Sequence, residues 1–269
     1  MDMKQITLNL LTKIRSGAPL IHNITNYVVM NSTANILLAT GAAPVMAHCL
    51  SEVEEMTAMA GALVLNIGTL QEDWVESMIV AARKANTKGI PVILDPVGAG
   101  ATALRTAAVR KILSQADISV VRGNASEILS LASDGIVTKG VDSSVELSGQ
   151  VAAAARHLAA DNKCIIAISG PQDCVTDGRR IYTIANGHPL MARVTGTGCG
   201  LSAVTAAFCA MARDELLQAT AAAFGFYGLC GELAAVISDK PGSFFVAFLD
   251  SLYATGEKEI NRLLKINCA

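Results

Sequence analysis

Six short apolar segments recur along the first 169 residues, and stretches of helical periodicity separate them. The predicted strands span residues 19–24, 43–47, 62–67, 91–97, 117–121 and 164–169, and the predicted helices lie near residues 26–40, 51–60, 72–87, 102–114, 125–132 and 144–160. A capping box at residues 51–54 marks the start of the second helix. Continuous apolar strands spaced by helices indicate a sheet that is covered on both faces. The sequence therefore predicts an α/β fold with a doubly wound, mostly parallel central sheet.

The pattern changes after residue 169. The dipeptide Asp177-Gly178 separates two apolar runs and predicts a tight hairpin at the edge of the sheet. Beyond residue 198 the chain is almost wholly helical, with helices predicted over 199–213, 215–237, 243–254 and 257–266. Glycines 225, 228 and 231 recur within one of these helices and would let another backbone approach closely. Because no linker, low-complexity tract or repeat interrupts the chain, we expect a single domain over residues 1–269.

The charge balance of the chain limits its partners. Its 269 residues include 21 basic and 23 acidic side chains without a basic run, which argues against binding to nucleic acid or to an anionic membrane surface. The uncharged runs 23–51 and 194–212 contain glycines and polar residues and do not resemble a spanning helix. The first 15 residues carry four charged side chains and predict no signal peptide. We therefore expect a soluble, cytoplasmic protein.

The segment RVTGTGCG, residues 193–200, places the Cys199 thiol where a glycine-rich loop becomes a helix. Gly196 and Gly198 let successive amides point inward at the helix start, where the helix dipole adds partial positive charge. This pattern predicts an anion site, although a glycine turn that merely begins a buried helix is an open alternative. The other six cysteines have no zinc or redox spacing, so we expect them to be small buried apolar residues.

Two further loops carry charged side chains at predicted strand ends, where ligands gather in an open parallel sheet. Asp95 precedes a glycine-containing loop, and Arg122, Asn124 and Glu127 lie within six residues of one another. If Asn124 caps a helix, Glu127 lies about one turn along it. The two carboxylates suit a hydrated Mg²⁺ and Arg122 suits a phosphate, while a plain helix cap with a solvated glutamate is the alternative. Together the three loops predict phosphoryl transfer.

Five segments in this order resemble the hydroxyethylthiazole kinase family of the ribokinase-like superfamily: PLIHNITNYVVMN, APVM, LDPVGAGAT, VVRGNASEI and RVTGTGCGLSA. The resemblance spans nearly the whole chain. It implies phosphorylation of the primary alcohol of 4-methyl-5-(2-hydroxyethyl)thiazole with ATP and Mg²⁺, in thiamine biosynthesis or salvage. It also implies a homotrimer with active sites between neighbouring subunits.

The resemblance further implies roles for individual residues. The thiazole alcohol would be contacted by Met46, Gly196 and Asn26. ATP and its phosphates would be bound by Arg122, Ser169, Thr195, Thr197 and Gly198. The metal would be held, through water, by Glu127 and Asp95. Cys199 stands where most of the superfamily has an aspartate as catalytic base, and we expect the helix start to lower the pKa of its thiol.

Three other interpretations stay open at this point. The chain could be a hydroxymethylpyrimidine kinase, which performs the same chemistry on a different alcohol. Cys199 could be the covalent nucleophile of a hydrolase or acyltransferase with His22 or His188 as base, but this leaves Asp95 and Glu127 without a role. The chain could also be a non-catalytic nucleotide-binding regulator. For His22 itself, a hydrogen-bonded structural role is the expectation.

Overall fold

The computed structural model describes residues 2–132 and 149–268, and every strand in this part of the chain belongs to one sheet. The strands are β1 (Leu20–Ile24), β2 (Ala43–Met46), β3 (Ala62–Asn66), β4 (Val92–Asp95), β5 (Val120–Asn124), β6 (Ile165–Ser169), β7 (Asp173–Thr176), β8 (Ile181–Ile184) and β9 (Ile266–Cys268). Their order across the sheet is β2-β1-β3-β4-β5-β6-β7-β8-β9. The first six in that order pair in parallel, and the remaining pairs are antiparallel.

Helices cover both faces of this sheet. They are α1 (Met3–Gly17), α2 (Met30–Thr40), α3 (Val53–Met59), α4 (Glu72–Lys88), α5 (Ala103–Gln115), α6 (Ala125–Ala132), α7 (Gly149–Asn162), α8 (Thr197–Ala210), α9 (Leu216–Ile237), α10 (Pro241–Ala254) and α11 (Glu257–Leu263), with a 3₁₀-helix at Pro189–Arg193. One apolar core packs α1, α2 and α8–α11 against one face, and a second core packs α3–α7 against the other. The predicted doubly wound α/β fold is confirmed. The predicted helix residues 144–148 lie outside the described part of the chain.

The fifth strand lies three residues later than its apolar run predicts. β5 begins at Val120, and Arg122, Gly123 and Asn124 continue its ladder against β6. These polar residues do not look like a buried strand by hydropathy, yet all of them are buried. Arg122 and Asn124 are therefore fixed by strand pairing rather than carried on a loop.

The capping box predicted at residues 51–54 is wrong. Helix α3 begins at Val53, and the preceding Glu52 makes no side-chain cap. The carbonyl of Cys49 accepts the amides of Glu52 and Val53, so Ser51 lies inside a turn, where its hydroxyl is 3.0 Å from the Cys49 sulfur. A turn closed by the Cys49 carbonyl therefore precedes α3 where the side-chain cap was expected.

The predicted hairpin is present, because β7 and β8 pair around Asp177-Gly178 and Gly178 has a positive φ of 89°. It does not form the sheet edge. The helix expected over residues 257–266 ends at Leu263, and β9 pairs with β8 beyond it. The Lys265 amide donates to Asn186 Oδ1 at 2.7 Å, which anchors the chain as it enters β9.

Helix α9 is long and apolar enough to cross a membrane, but 72% of its most apolar window is buried inside the protein. Its glycines allow this packing. A Cβ at Gly228 would lie 2.5 Å from the Asn186 carbonyl oxygen, which is the close backbone approach that the glycine spacing predicts. Gly225 and Gly231 instead make room for side chains. We therefore interpret α9 as a core helix.

Candidate active site

A continuous set of buried polar contacts lies along the carboxyl edge of the parallel strands. Asn66 ends β3 and is in register with Asp95 at the end of β4, and Asn124 ends β5 opposite Ser169 of β6. The amino terminus of α8 approaches the same edge, because Ser202 in its second turn bonds to Asp95. The topology thus brings together residues that are far apart in the sequence.

Asp95 is the centre of these contacts. Its Oδ2 accepts hydrogen bonds from Ser202 Oγ at 2.7 Å and Asn66 Nδ2 at 2.9 Å, and it lies 3.8 Å from Arg122 Nη1. Burial raises the pKa of the Asp95 carboxyl above its ordinary value, while the charge of Arg122 and the two hydrogen bonds oppose that shift. Asp95 is therefore a desolvated carboxyl group whose Oδ2 has three polar neighbours.

Asn66 and Ser202 contact Asp95 but are not among the predicted site residues. A signal for Ser202 exists in hindsight, because it follows Cys199 by three residues and therefore lies on the same face of α8. Asn66 ends an apolar run at the carboxyl end of a strand, which is where ligand-site residues of such sheets lie. Their common partner, Asp95, depends on the tertiary fold.

Glu127 and Asn124 cap each other at the start of α6. The Glu127 amide donates to Asn124 Oδ1 at 2.9 Å, and the Asn124 amide donates to Glu127 Oε2 at 2.8 Å. The Gly98 amide donates to Glu127 Oε1 at 2.9 Å. The conditional prediction that Asn124 caps a helix is confirmed, but the glutamate is buried, not solvated. Burial, followed by the nearby charge of Asp95, raises the pKa of Glu127.

Arg122 lies between the two carboxylates and the start of α8. Its Nη2 donates to Ser169 Oγ at 2.5 Å, and a Cβ at Gly198 would lie 3.1 Å from its Nη1. Its Nε is fully buried and has no hydrogen-bond partner among the described residues. A buried donor without a partner is rare. The charge of the guanidinium and the helix amino terminus beside its Nη1 favour an anionic oxygen. This corner of the site therefore fits a phosphate group.

The glycine-rich loop is shaped by its backbone. Gly196 has a positive φ of 89°, and a Cβ there would lie 2.8 Å from Ser32 Oγ, so glycine is required. Helix α8 begins at Thr197, whose hydroxyl is engaged with the Met191 carbonyl at 2.7 Å. Thr195 is exposed in the turn before the helix. Because the Thr197 hydroxyl donates elsewhere, Thr197 would contact a phosphate through its backbone amide.

Cys199 is the third residue of α8 and is partly buried. Asn26 Nδ2 lies 3.6 Å from its sulfur and also donates to Asn66 Oδ1 at 2.8 Å. Burial, followed by the charge of Asp95, raises the pKa of the Cys199 thiol to about 12. The expectation that the helix start lowers this pKa is wrong, because desolvation and a neighbouring carboxylate outweigh the helix dipole. The thiol is protonated at neutral pH.

The other predicted residues occupy different parts of the edge. Met46 ends β2 and is partly exposed, with β1 and β3 between it and the strand of Asp95. His22 is buried, with its ring nitrogens 2.9 Å from the Ala47 carbonyl and 3.0 Å from Thr57 Oγ1, which confirms its structural role. His188 caps the 3₁₀-helix by accepting the Leu190 amide. Both histidines are thus engaged away from the thiol.

The acidic residues of the site limit how a metal could bind. Among the described residues, no group of three or more His, Cys, Asp and Glu side chains is arranged to hold a metal ion. Asp95 and Glu127 supply two buried carboxyl groups, and they are close enough for the charge of Asp95 to raise the pKa of Glu127. Mg²⁺ commonly keeps several waters and takes only one or two carboxylates, so this donor set fits hydrated Mg²⁺ better than a metal caged by protein.

A groove of about 550 Å³ opens at the amino ends of the parallel strands, opposite the carboxyl ends that carry the polar contacts. Its lining includes Pro91, Ser119 and Ile165, which lie at the amino ends of β4, β5 and β6. None of the predicted site residues lines it. Because the buried carboxyl groups, the Arg122 guanidinium and the glycine loop all lie at the carboxyl ends of the parallel strands, we assign the candidate site there.

Known proteins with similar sequences and folds bear on this site. The model of the hydroxyethylthiazole kinase family matches residues 11–258. Hydroxyethylthiazole kinase of Desulfotalea psychrophila is 56% identical over 256 residues, which cover 95% of this chain and 93% of that protein. The structure of hydroxyethylthiazole kinase from Pyrococcus horikoshii has a TM-score of 0.90 at 42% identity and covers 98% of this chain and 99% of its own. A ribokinase-like superfamily protein of Enterococcus faecalis is similar in fold alone, with a TM-score of 0.65 at 13% identity and coverage of 94% and 95%. The chain has a ribokinase-like fold and belongs to the hydroxyethylthiazole kinase family.

Proposed function

We propose that this chain transfers the γ-phosphoryl group of ATP to the primary alcohol of 4-methyl-5-(2-hydroxyethyl)thiazole. Membership of the family supports the activity and the acceptor. The observation that carries the proposal is the Arg122 guanidinium, which lies beside two buried carboxyl groups and the amino terminus of α8. Such a site is built to receive a charged phosphate rather than an ester or an acyl group.

The phosphates of ATP bind, in this proposal, at the corner formed by Arg122 and the start of α8. Arg122 and Ser169 supply a guanidinium and a hydroxyl that already contact each other. The loop supplies backbone amides at the helix start, from Thr195, Thr197 and Gly198. Donors held in place before the reaction lower its barrier because they need no reorganisation when charge develops.

Glu127 and Asp95 are the residues that would hold Mg²⁺, through water. Bound Mg²⁺ neutralises negative charge on the phosphoryl oxygens. The protein fixes both carboxylates in advance, since two backbone amides hold Glu127 and the Asn66 and Ser202 side chains hold Asp95. Burial raises the pKa of both carboxyl groups, and the charge of Arg122 opposes each shift.

The acceptor alcohol would be contacted by Asn26, Met46 and Gly196. Cys199 lies beside Asn26 and thus next to the proposed position of the hydroxyl. Because its thiol is protonated at neutral pH, only a very small fraction is free to accept a proton, and we propose that Cys199 mainly positions the alcohol. Phosphoryl transfer tolerates a weak base, since its loose transition state depends mainly on positioning and charge neutralisation.

The broader setting follows from the family and is part of the same proposal. The chain acts as one kinase domain over residues 1–269, in the cytoplasm, in thiamine biosynthesis or salvage. It assembles as a homotrimer with active sites between subunits. The partly exposed position of Met46 on edge strand β2 supports an acceptor pocket that a neighbouring subunit completes.

The direct test is to incubate the protein with ATP, Mg²⁺ and the thiazole alcohol and to detect the phosphate ester by mass spectrometry. Parallel reactions contain hydroxymethylpyrimidine or a simple ester. We expect the thiazole phosphate to form fastest and only with ATP. Preferential phosphorylation of the pyrimidine, turnover of the ester, or nucleotide binding without transfer would each reject the proposal in favour of a different activity.

A further inference from the structure

Arg105 holds together two of the loops that carry the site. It is the third residue of α5, and its guanidinium reaches back to three backbone carbonyls. Nη1 donates to the Val97 carbonyl at 2.7 Å and to the Ile67 carbonyl at 3.0 Å, and Nη2 donates to the Gly68 carbonyl at 2.5 Å. One side chain therefore links the loop after β3 to the loop after β4.

Both loops carry site groups next to the carbonyls that Arg105 contacts. Asn66, which bonds to Asp95, directly precedes Ile67. Gly98, whose amide donates to Glu127 Oε1, directly follows Val97. A shift of either loop would therefore move a donor that orients one of the two buried carboxylates.

The two loops that Arg105 links are also closely packed against their neighbours. A Cβ at Gly68 would lie 2.5 Å from Asn26 Nδ2, so this loop packs directly against the amide that contacts Cys199. A Cβ at Gly98 would lie 3.1 Å from Arg105 Cδ, so the arginine stem packs against the other loop. These contacts leave little space in which either loop could move.

Stabilising its own helix does not explain this arginine. A cation in the first turn opposes the helix dipole, and Thr102 already caps α5 through its side chain. Lysine could reproduce only part of these contacts, because an ammonium lacks the planar fork that reaches carbonyls on two separate segments. The position requires a guanidinium for what it holds in place.

We propose that Arg105 is a positioning residue for phosphoryl transfer, which acts by holding the loops after β3 and β4 at the spacing that orients Asp95 and Glu127. This inference rests on the proposed kinase function. It predicts that loss of the Arg105 guanidinium lowers kcat at saturating substrates more than it raises KM for either substrate. Misplacement of reacting groups by about 1 Å can cost on the order of 100-fold in rate.

The test compares Arg105→Ala and Arg105→Lys with Arg15→Ala. Arg15 is a matched control, since its Nη2 donates to the Leu252 and Tyr253 carbonyls at 2.9 Å on the other face of the sheet. We expect Arg105→Ala to lose at least tenfold in kcat, Arg105→Lys to recover part of it, and Arg15→Ala to keep kcat within about twofold. Amide hydrogen exchange should rise in segments 66–70 and 95–100 of the Arg105 variants only.

The outcomes separate the two claims. A native protein that forms no thiazole phosphate refutes the proposed function. A native protein that forms it, together with Arg105 variants of unchanged kcat, refutes only the positioning role. If Arg105→Ala does not fold, Arg105→Lys decides the question. Unchanged hydrogen exchange in both segments overturns the inference whatever the activity assay gives.

Discussion

Replacing Glu127 with glutamine removes one negative charge from the proposed metal site, and its effect on folding can be worked out from the contacts. Both carboxylate oxygens accept backbone amides, from Gly98 at 2.9 Å and from Asn124 at 2.8 Å. A glutamine offers one carbonyl oxygen and one NH₂ group. Whichever way it is turned, one of the two buried amides faces a donor and loses its bond.

A buried donor left without a partner costs about 1–3 kcal/mol of folding free energy. The substitution also removes a carboxylate whose burial and proximity to Asp95 already raise its pKa, which offsets part of that cost. We therefore expect Glu127→Gln to lower the free energy of unfolding by at most about 3 kcal/mol and to remain folded at 25 °C. Turnover should fall by about 100–1,000-fold, the range found when one preorganised electrostatic contact is removed.

The assay measures kcat at saturating ATP, thiazole alcohol and Mg²⁺, beside thermal unfolding of the same preparations. Glu259→Gln is the matched control, because Glu259 stands in the same capping position on α11 and accepts the Gly256 amide at 3.2 Å. It should keep native turnover. A Glu127→Gln enzyme with kcat within fivefold of native, or an equal loss in Glu259→Gln, would show that the charge of Glu127 has no specific role in turnover.

Three further predictions follow from the site and its surroundings. Cys199→Ala should retain measurable ATP-dependent phosphorylation in steady-state assays and lose at most the roughly 10²–10⁴-fold typical of a general base, near the low end of that range. Cys199→Asp should exceed it because a carboxylate can accept the proton of the alcohol. Burial raises the pKa of Asp173 to about 7, so the contribution of Asp173 to the free energy of unfolding falls as pH rises from about 4 to about 7. Asp173→Asn still accepts the Gly170 amide, and its stability relative to native should rise by up to about 4 kcal/mol over that range in urea unfolding. Sedimentation should find a trimer at assay concentrations.

Each of these has a clear contrary result. An inactive Cys199→Asp enzyme beside an active alanine variant would remove the base role. A stability difference between Asp173→Asn and native protein that does not change with pH would show that Asp173 titrates as an ordinary aspartate. A fully active monomer would reject the trimer.

The sequence predicts most of the sheet because buried parallel strands are continuous apolar runs bounded by helices. It misplaces β5 because Arg122, Gly123 and Asn124 are polar, although strand pairing buries them. It also misses β9, since three residues carry no periodic signal and pair only because β8 offers an edge. Both differences arise where tertiary contacts override local hydropathy.

The candidate site shows the same division. Asp95, Arg122 and Glu127 are visible in the sequence because they lie at or beside the carboxyl ends of predicted strands. Ser202 is not, since its bond to Asp95 spans 107 residues. The pKa of Cys199 is also beyond local sequence, because the helix start is local, whereas burial and the charge of Asp95 depend on the whole fold.

In the proposed reaction, ATP transfers its phosphoryl group directly to the alcohol at the site formed by Asp95, Arg122, Glu127 and the start of α8. The most direct measurement is a rapid-quench experiment with γ-labelled ATP, Mg²⁺ and the thiazole alcohol under single-turnover conditions, with mass spectrometry of the protein at each time. We predict that the label passes from ATP to the thiazole phosphate and that none is found on the protein. A labelled adduct on Cys199 that forms and decays before product appears would contradict this account.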